Sequence, residues 1–199
     1  MVLRRLAAVL LLVPAAPALL LFAVGIRLAG PGPVLYGQVR IGRRGRAFRM
    51  WKLRTMDVDA ERRLAALLAA DPAAAAEWEA FGRLADDPRI AGPFARWARR
   101  LSVDELPQLL NVVIGDMAFI GPRPMLPSQA AALGPRARAE RERVLPGLTG
   151  LWQVSGRSET TLRQMLRFDL LYVRRRSVGL DLWVLLRTPA ALVGGRGAY

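Results

Sequence analysis

Two adjacent carboxylates, Asp104 and Glu105, have the type and setting that best fit a chemical role in this chain. They stand between apolar residues, with Val103 before them and Leu106 after them. One interpretation is structural, because Ser102 and Glu105 have the spacing of a capping box at a helix start. The other is chemical, because a helix N-terminus stabilises a carboxylate and attracts phosphate, and such a carboxylate can attack phosphorus. The two interpretations are compatible.

Basic side chains elsewhere in the chain could contact phosphate near these carboxylates. Arg123 stands between two prolines in residues 121–124 (GPRP), which form either a stiff loop or a support that aims one guanidinium at phosphate oxygens. Lys52 is the only lysine of the chain, which indicates either a need for a compact ammonium group or chance. The basic residues from 40 to 54 could equally form a surface that faces lipid.

The composition excludes several classes of chemistry. The chain has no cysteine and no histidine, which rules out disulfides, a thiol nucleophile and a Ser-His-Asp triad. The common zinc sites need cysteine or histidine ligands, so a bound metal is expected to be a hard cation on oxygen ligands. The formal net charge of +14 indicates an anionic partner: phospholipid, nucleic acid or a phosphorylated substrate.

The N-terminal residues 6–26 carry no charge and are long enough, at about 1.5 Å per residue, to cross a bilayer core of about 30 Å. A signal peptide is disfavoured, because the apolar run continues past its small-residue patch. A spanning helix must tolerate Pro14 and Pro17 near its middle. A re-entrant helix would use both prolines as its turn, and basic residues flank the run on both sides. Spanning and re-entrant helices both remain open.

The rest of the chain reads as helices joined by turns. A hairpin is predicted over residues 38–50, and Asp86, Asp87 and Pro88 are predicted to form a solvated turn. Residues 115–127 and 146–157 are predicted to be irregular, the latter loop or strand. The fold class is therefore mainly α with a small β-hairpin (α+β), with a membrane helix in residues 1–28 and one domain in residues 29–199. Helices are predicted over residues 59–70, 73–84, 94–100, 102–114, 129–144 and 160–176, with an apolar segment over 180–193.

Five motifs, taken in order, resemble those of the bacterial sugar transferases, the monotopic phosphoglycosyl transferases. A glycine-rich tail at residues 195–199 continues the resemblance, which covers about residues 31–199. The motifs are residues 52–56 (KLRTM), 102–108 (SVDELPQ), 115–117 (GDM), 121–124 (GPRP) and 146–157 (PGLTGLWQVSGR).

The resemblance implies an activity. A sugar-1-phosphate would pass from a UDP-sugar, with galactose or glucose as the sugar, to undecaprenyl phosphate, and UMP would be released. Asp104 matches the family's nucleophile, which forms a covalent phosphosugar intermediate, and Glu105 matches its acidic partner. Mg²⁺ would neutralise the diphosphate, with Asp104 as its ligand from the protein. Expected substrate contacts are Lys52, Arg54, Arg99 and Arg123 for phosphate, and Gln153 and Arg157 for the nucleotide-sugar.

The resemblance also implies a location. The protein would start exopolysaccharide or O-antigen synthesis at the bacterial inner membrane. A re-entrant helix that turns at Pro14 and Pro17 and interfacial amphipathic helices would hold the catalytic domain of residues 29–199 on the cytoplasmic face. Anionic lipid is an expected partner, and an oligomer is possible.

A second hypothesis is a basic, membrane-tethered module that binds anionic lipid or nucleic acid. Net charge alone favours it. The chain has no recognisable nucleic-acid reading motif and no glycine fingerprint of a P-loop or Rossmann site. No nucleic-acid partner is therefore expected, and the transferase hypothesis explains more of the chain.

Overall fold

The computed structural model describes residues 2–81, 84, 87–156 and 161–193, and it confirms a mostly helical fold with small sheets. The strands of these residues are β1 (Leu35–Ile41), β2 (Ala47–Leu53), β3 (Ala118–Ile120) and β4 (Gly147–Thr149). The helices are α1 (Val2–Ala29), α2 (Ala60–Ala70), α3 (Pro72–Phe81), α4 (Gly92–Arg100), α5 (Gln108–Ile114), α6 (Pro127–Ala131), α7 (Pro135–Arg141), α8 (Leu151–Ser155), α9 (Leu162–Arg175) and α10 (Val178–Val193).

The predicted hairpin is confirmed, and it is three residues longer at each end than the sequence pattern indicated. β1 and β2 pair antiparallel, with Leu35 opposite Leu53. The turn between them needs a positive φ at Arg44 (60°) and at Gly45 (72°). Because side chains alternate along a strand, Phe48 and Met50 share one buried face of β2.

Helix α1 packs against the rest of the protein along both of its halves. Ala8 is buried in a cluster with residues of β2 and α5, and Phe22 is buried in a second cluster with residues of β2 and α4. Pro14 and Pro17 both lie within this one helix, so the turn predicted there is not confirmed. By length and composition, α1 is the one helix of the described residues that could cross a membrane.

Two predicted helices are each divided in the structure. Residues 102–114 form a 3₁₀ turn at Val103–Glu105 followed by α5, because Pro107 cannot donate a hydrogen bond inside a helix and stands at the start of α5. The helix predicted over residues 129–144 is divided into α6 and α7, with residues 132–134 between them, since Pro135 opens α7. The predicted irregular segments contain β3, β4 and the short helix α8.

Candidate active site

Asp104 lies in the 3₁₀ turn between α4 and α5 and is 6% exposed. The turn begins after Ser102, whose φ of 55° is in the left-handed region that L-residues rarely adopt. The Ser102 side chain makes no capping hydrogen bond to this turn, so the capping-box interpretation is wrong. Strain of this kind often accompanies functional sites, and here it places a carboxylate below the surface.

Lys52, at the end of β2, contacts the neighbouring carboxylate. Its Nζ donates to Glu105 Oε1 at 2.8 Å, and both side chains are partly buried. The two residues are 53 positions apart in the sequence, so the fold has to hold β2 against the 3₁₀ turn. The structure thus brings Lys52 to the carboxylate pair, and its predicted contact with phosphate stays a prediction.

Asn111, a residue that sequence reasoning missed, holds β2 and α5 together. Its Oδ1 accepts from the Trp51 N–H at 3.0 Å, and its Nδ2 donates to the Arg49 carbonyl at 2.8 Å. The side-chain amide thus pairs with β2 as another strand would. Because Asn111 is fully buried, this pairing fixes where Lys52 meets Glu105. The only sequence signal was an amide side chain within the otherwise apolar residues 109–114.

The electrostatic setting of Asp104 is unusual for a carboxylate. Burial raises its pKa to about 6, and the nearby Glu105 charge acts in the same direction. Lys52 and Arg99 oppose this increase. The site therefore surrounds with cations a carboxylate that is ionised at neutral pH but takes up a proton more readily than an exposed one, an arrangement that recurs where a carboxylate has to react with an anion.

Asp104 faces a cavity of about 830 Å³. Side chains from the hairpin, the 3₁₀ turn, the loop before α6, α8 and α10 converge on it. Arg157 lies outside the described residues. The cavity brings together the other predicted site residues, which are Asp104, Glu105, Lys52, Arg54, Arg99, Arg123 and Gln153.

The loop that carries Arg123 packs backbone to backbone against the segment that leads to α8. A Cβ on Gly121 would lie 2.4 Å from the Leu145 carbonyl oxygen, and one on Gly150 would lie 2.1 Å from the Gly121 carbonyl oxygen. Only glycine fits at these contacts. The close approach places the Arg123 guanidinium over the Trp152 ring, 5.0 Å from its centroid.

A buried ion pair supports the same loop from behind. Arg141 in α7 donates from Nε (3.0 Å) and Nη2 (2.7 Å) to Asp169 Oδ2 in α9. Nη2 also donates to the Arg123 carbonyl. Asp169 is 1% exposed and accepts the Arg123 backbone N–H as well. The backbone on both sides of Arg123 is therefore held by one charged pair.

Arg54 and Gln153 have different surroundings, although both line the cavity. The Arg54 guanidinium donates to the carbonyls of Pro31 (2.6 Å) and Gly30 (3.4 Å), so it ties down the segment that leaves α1. Gln153 Oε1 is buried and has no hydrogen-bond partner among the described residues. Since a buried acceptor without a donor is costly, Gln153 is suited to accept a hydrogen bond from a ligand.

Arg40 is a second cation at the cavity that the motifs did not single out. It is 8% exposed, and its Nη1 donates to the Pro124 carbonyl at 3.0 Å. Burial and repulsion by Arg123 lower its pKa to about 9. Two neighbouring guanidiniums at one wall of a cavity favour an anionic ligand there.

Helix α3 contributes to another wall of the cavity through Trp78 and Phe81. The predicted solvated turn is wrong for Asp87, which is 7% exposed. Its carboxylate accepts from Arg89 Nε at 2.7 Å and Nη2 at 2.6 Å, and Arg89 stacks on Trp78 with 4.9 Å to the ring centroid. Asp86 lies outside the described residues. The wall is an ordered, partly aromatic surface.

The acidic residues present suit a metal that is shared with a substrate. Among the described residues, no group of three or more acidic side chains is arranged to hold a metal by itself. Asp104 and Glu105 adjoin in one cavity. Magnesium is commonly bound by one or two carboxylates together with substrate phosphates, so this pair fits Mg²⁺ only alongside a phosphorylated ligand.

A buried carboxylate among cations, in a cavity of this size, defines a centre for transfer of a phosphorylated group. Comparison with known proteins gives the family. A profile of the family described as "Bacterial sugar transferase" matches residues 1–195. The chain therefore belongs to the bacterial sugar transferase family, and the resemblance carried by the five motifs is confirmed.

The curated relatives are of two lengths. The exopolysaccharide production protein ExoY of Sinorhizobium fredii is 38% identical over 192 residues, which cover 96% of this chain and 84% of that protein. The undecaprenyl-phosphate galactose phosphotransferase of Salmonella typhimurium is 40% identical over 171 residues, 84% of this chain but 35% of that protein. The undecaprenyl-phosphate glucose phosphotransferase of Komagataeibacter xylinus is 38% identical, again over only 35% of its length. This chain thus spans about a third of the two named phosphotransferases.

Proposed function

We propose that the protein transfers a sugar-1-phosphate from a UDP-sugar to undecaprenyl phosphate and releases UMP, through a covalent intermediate on Asp104. The observation that carries the proposal is the buried Asp104 carboxylate, with Lys52 and Arg99 near it, in one cavity with Arg123. The relatives named for undecaprenyl-phosphate galactose and glucose transfer support the acceptor and make galactose or glucose the proposed sugar.

In the first step, an Asp104 oxygen attacks the phosphorus that carries the sugar. The bond from that phosphorus to the bridging oxygen breaks, and UMP leaves with the electron pair. In the second step, an oxygen of the lipid phosphate attacks the same phosphorus and the Asp104 carboxylate is released. Covalent catalysis of this kind divides one difficult displacement into two easier ones.

The cations around Asp104 stabilise the charge that develops on the transferring group. Lys52 lies on the Glu105 side, and Arg40 and Arg123 face the cavity from the hairpin and the GPRP loop. Fixed cations in a site that excludes water stabilise a transition state strongly. Mg²⁺ bound by Asp104 with the donor diphosphate would add to this neutralisation.

Magnesium dependence is a direct expectation of this arrangement. Excess EDTA should abolish UMP release, and added Mg²⁺ should restore it. The Tm should not change with EDTA, because the described residues hold no cluster of acids that would make a structural metal site. Full activity in excess EDTA would show that the carboxylate pair works without a metal.

Lys52 should set the pH range in which Asp104 reacts. The nucleophile has to be ionised, so kcat/KM should rise with pH through about 6, the pKa of Asp104, and level off above it. Lys52 lowers that pKa, so Lys52→Met should move the acidic limb to higher pH. Lys52→Arg retains the charge and should leave the limb close to that of the wild type. If the acidic limb of the kcat/KM profile did not move in Lys52→Met, Lys52 would not influence the pKa of Asp104.

We further propose that α1 is a re-entrant helix at the inner membrane and that the catalytic domain lies on the cytoplasmic face. Both halves of α1 pack on the same domain, and Arg5 near its start donates to the Ile114 carbonyl at 2.8 Å. A helix that crosses the bilayer alone would carry one of its ends away from that domain. The outward apolar residues of α1 suit a lipid environment; they include Leu3, Leu10, Val13, Leu20 and Leu28.

Thiol labelling tests this topology, because the chain has no cysteine of its own. Val2 is 71% exposed, so Val2→Cys offers a reactive thiol at the start of α1. We expect it to be protected from a membrane-impermeant reagent in intact spheroplasts and labelled after lysis. The control is Arg62→Cys on α2, which reports on which side of the membrane the domain lies. Labelling of Val2→Cys but not of Arg62→Cys before lysis would establish a spanning helix.

The transferase proposal is tested by UMP release from a panel of UDP-sugars with undecaprenyl phosphate. UDP-galactose or UDP-glucose should give the highest kcat/KM. Release that is equal in all members of the panel, or that does not require the lipid phosphate for turnover, would contradict the proposal.

A further inference from the structure

A second, smaller cavity of about 110 Å³ lies apart from the active site. Strand β3 separates the two, because Phe119 lines the large cavity while Ala118 and Ile120 line the small one. This division follows from the alternation of side chains along a strand. The two cavities share no lining residue, so a ligand of the small cavity need not take part in the transfer.

Four arginines from separate parts of the fold line this small cavity: Arg4, Arg43, Arg143 and Arg176. Arg43 and Arg176 repel the Arg4 guanidinium. The Nε and Nη2 atoms of Arg4 are buried and have no acceptor among the described residues. Buried donors without acceptors and like charges side by side both cost free energy, and an anion bound between them would relieve both costs.

Three carboxylates of nearby segments have other partners and do not supply that anion. Glu140 accepts from Arg174, Glu142 accepts from Arg138, and Asp181 accepts from the Tyr172 hydroxyl at 2.7 Å. Within the described part of the chain, none of the four arginines forms an ion pair. As far as residues 2–81, 84, 87–156 and 161–193 show, the cavity is therefore a cluster of cations without an ion-paired carboxylate.

We propose that this four-arginine cavity binds the phosphate of an anionic phospholipid headgroup. Oxyanions of phosphate type match several convergent guanidiniums. The lipid source follows from position: Arg4 lies in the first turn of apolar α1, and Arg176 comes just before α10, whose exposed apolar residues include Val178, Leu182 and Trp183. Two of the arginines thus stand where two apolar helices begin, the kind of position from which basic side chains reach lipid phosphates.

This assignment rests on the proposed membrane association of α1, and it is tested without donor, acceptor or catalysis. The full chain in neutral detergent is heated with dihexanoylphosphatidylglycerol, dihexanoylphosphatidylcholine or inorganic phosphate. A ligand that binds only the folded state raises the Tm. At a hundred times its half-saturating concentration, phosphatidylglycerol should raise the Tm by about 5–10 °C. Phosphatidylcholine and inorganic phosphate should raise it by less than half as much.

Two double variants with equal charge identify the site. Arg143→Gln with Arg176→Gln changes the cavity and leaves α1 intact, and it should lose most of the shift. Arg163→Gln with Arg167→Gln on α9 changes exposed arginines outside the cavity and should keep it. Equal shifts in the two variants would show unspecific charge attraction and overturn the site. A shift with inorganic phosphate as large as with phosphatidylglycerol would overturn the lipid assignment.

A failure here is distinguishable from failure of the transferase proposal. UMP release by Asp104 does not enter the measurement, and thiol labelling at Val2 tests the topology of α1 independently. Without any lipid, the Arg143→Gln and Arg176→Gln variant should have a Tm close to that of the wild type, because both side chains are exposed and Arg176 repels Arg4. A clearly lower Tm would mean that these arginines stabilise the fold and do not form a binding site.

Discussion

Asp104→Asn is expected to lower turnover by about three orders of magnitude or more, the range seen when a covalent nucleophile is removed. The amide has nearly the same size and fits the same buried turn, but it cannot attack phosphorus as an anion. The Asp104→Asn variant should fold as the wild type does. Burial raises the pKa of Asp104, which means that the folded state disfavours its charged form. A neutral amide at that position should leave the Tm unchanged or slightly higher.

Glu105→Gln is the matched control for this variant. Its side-chain carbonyl can still accept from Lys52, so it keeps the contact that the structure shows. It should lower the rate but still allow the first step. The difference becomes visible when the enzyme meets a radiolabelled UDP-sugar without lipid acceptor. Wild type and Glu105→Gln should each retain label covalently and release one UMP per chain, whereas Asp104→Asn should do neither.

Two results would contradict the assignment of the nucleophile. One is near-normal UMP release by folded Asp104→Asn enzyme. The other is covalent label on Asp104→Asn protein, which would place the intermediate on another residue. If Glu105→Gln alone lost the label, Glu105 rather than Asp104 would be the residue that forms the covalent intermediate.

The sequence was informative where structure depends on local signals. The hairpin follows from alternating residues around a glycine-bounded turn, and the helix predicted over residues 160–176 is found as α9 (Leu162–Arg175). Asp104 and Lys52 stood out because their types and neighbours were unusual, and the structure places them at one cavity. Side chains that can take part in a reaction can thus be identified from the sequence before the residues that they contact are known.

The sequence was uninformative where a residue acts through a distant partner. Asn111 pairs with β2 across 60 positions, and Arg40 reaches the Pro124 carbonyl across 84. Locally, each resembles an ordinary polar residue of a helix or strand. The same holds for Gly121 and Gly150, whose need for glycine arises only where two segments touch. Ser102 shows the opposite error, because its spacing matched a capping box but its positive φ and the following Pro107 produced another turn.

The buried pair of Arg141 and Asp169 should have the largest effect on stability of any contact behind the active site. Asp169→Asn leaves the Arg141 charge buried without a counter-ion. Breaking a buried ion pair from one side costs about 3–5 kcal/mol, which corresponds to roughly 6–20 °C in Tm for a chain of this length. Thermal unfolding in detergent measures this directly.

The exposed pair of Glu140 and Arg174 provides a control. It joins the same two elements, α7 and α9, at 2.7 and 2.9 Å, but the Arg174 side chain is 62% exposed. Glu140→Gln removes one partner of a pair that water already screens, so its effect on the Tm should be much smaller. Equal losses in the two variants would mean that burial does not determine the cost.

Asp169→Asn should also reduce activity in molecules that remain folded. Asp169 accepts the Arg123 backbone N–H, and Arg141 donates to the Arg123 carbonyl, so a loosened pair displaces the loop that carries the guanidinium over Trp152. The expected result, well below the unfolding temperature, is a lower kcat/KM for Asp169→Asn and a normal one for Glu140→Gln. A destabilised Asp169→Asn enzyme with wild-type kcat/KM would show that the pair stabilises the fold but does not position Arg123.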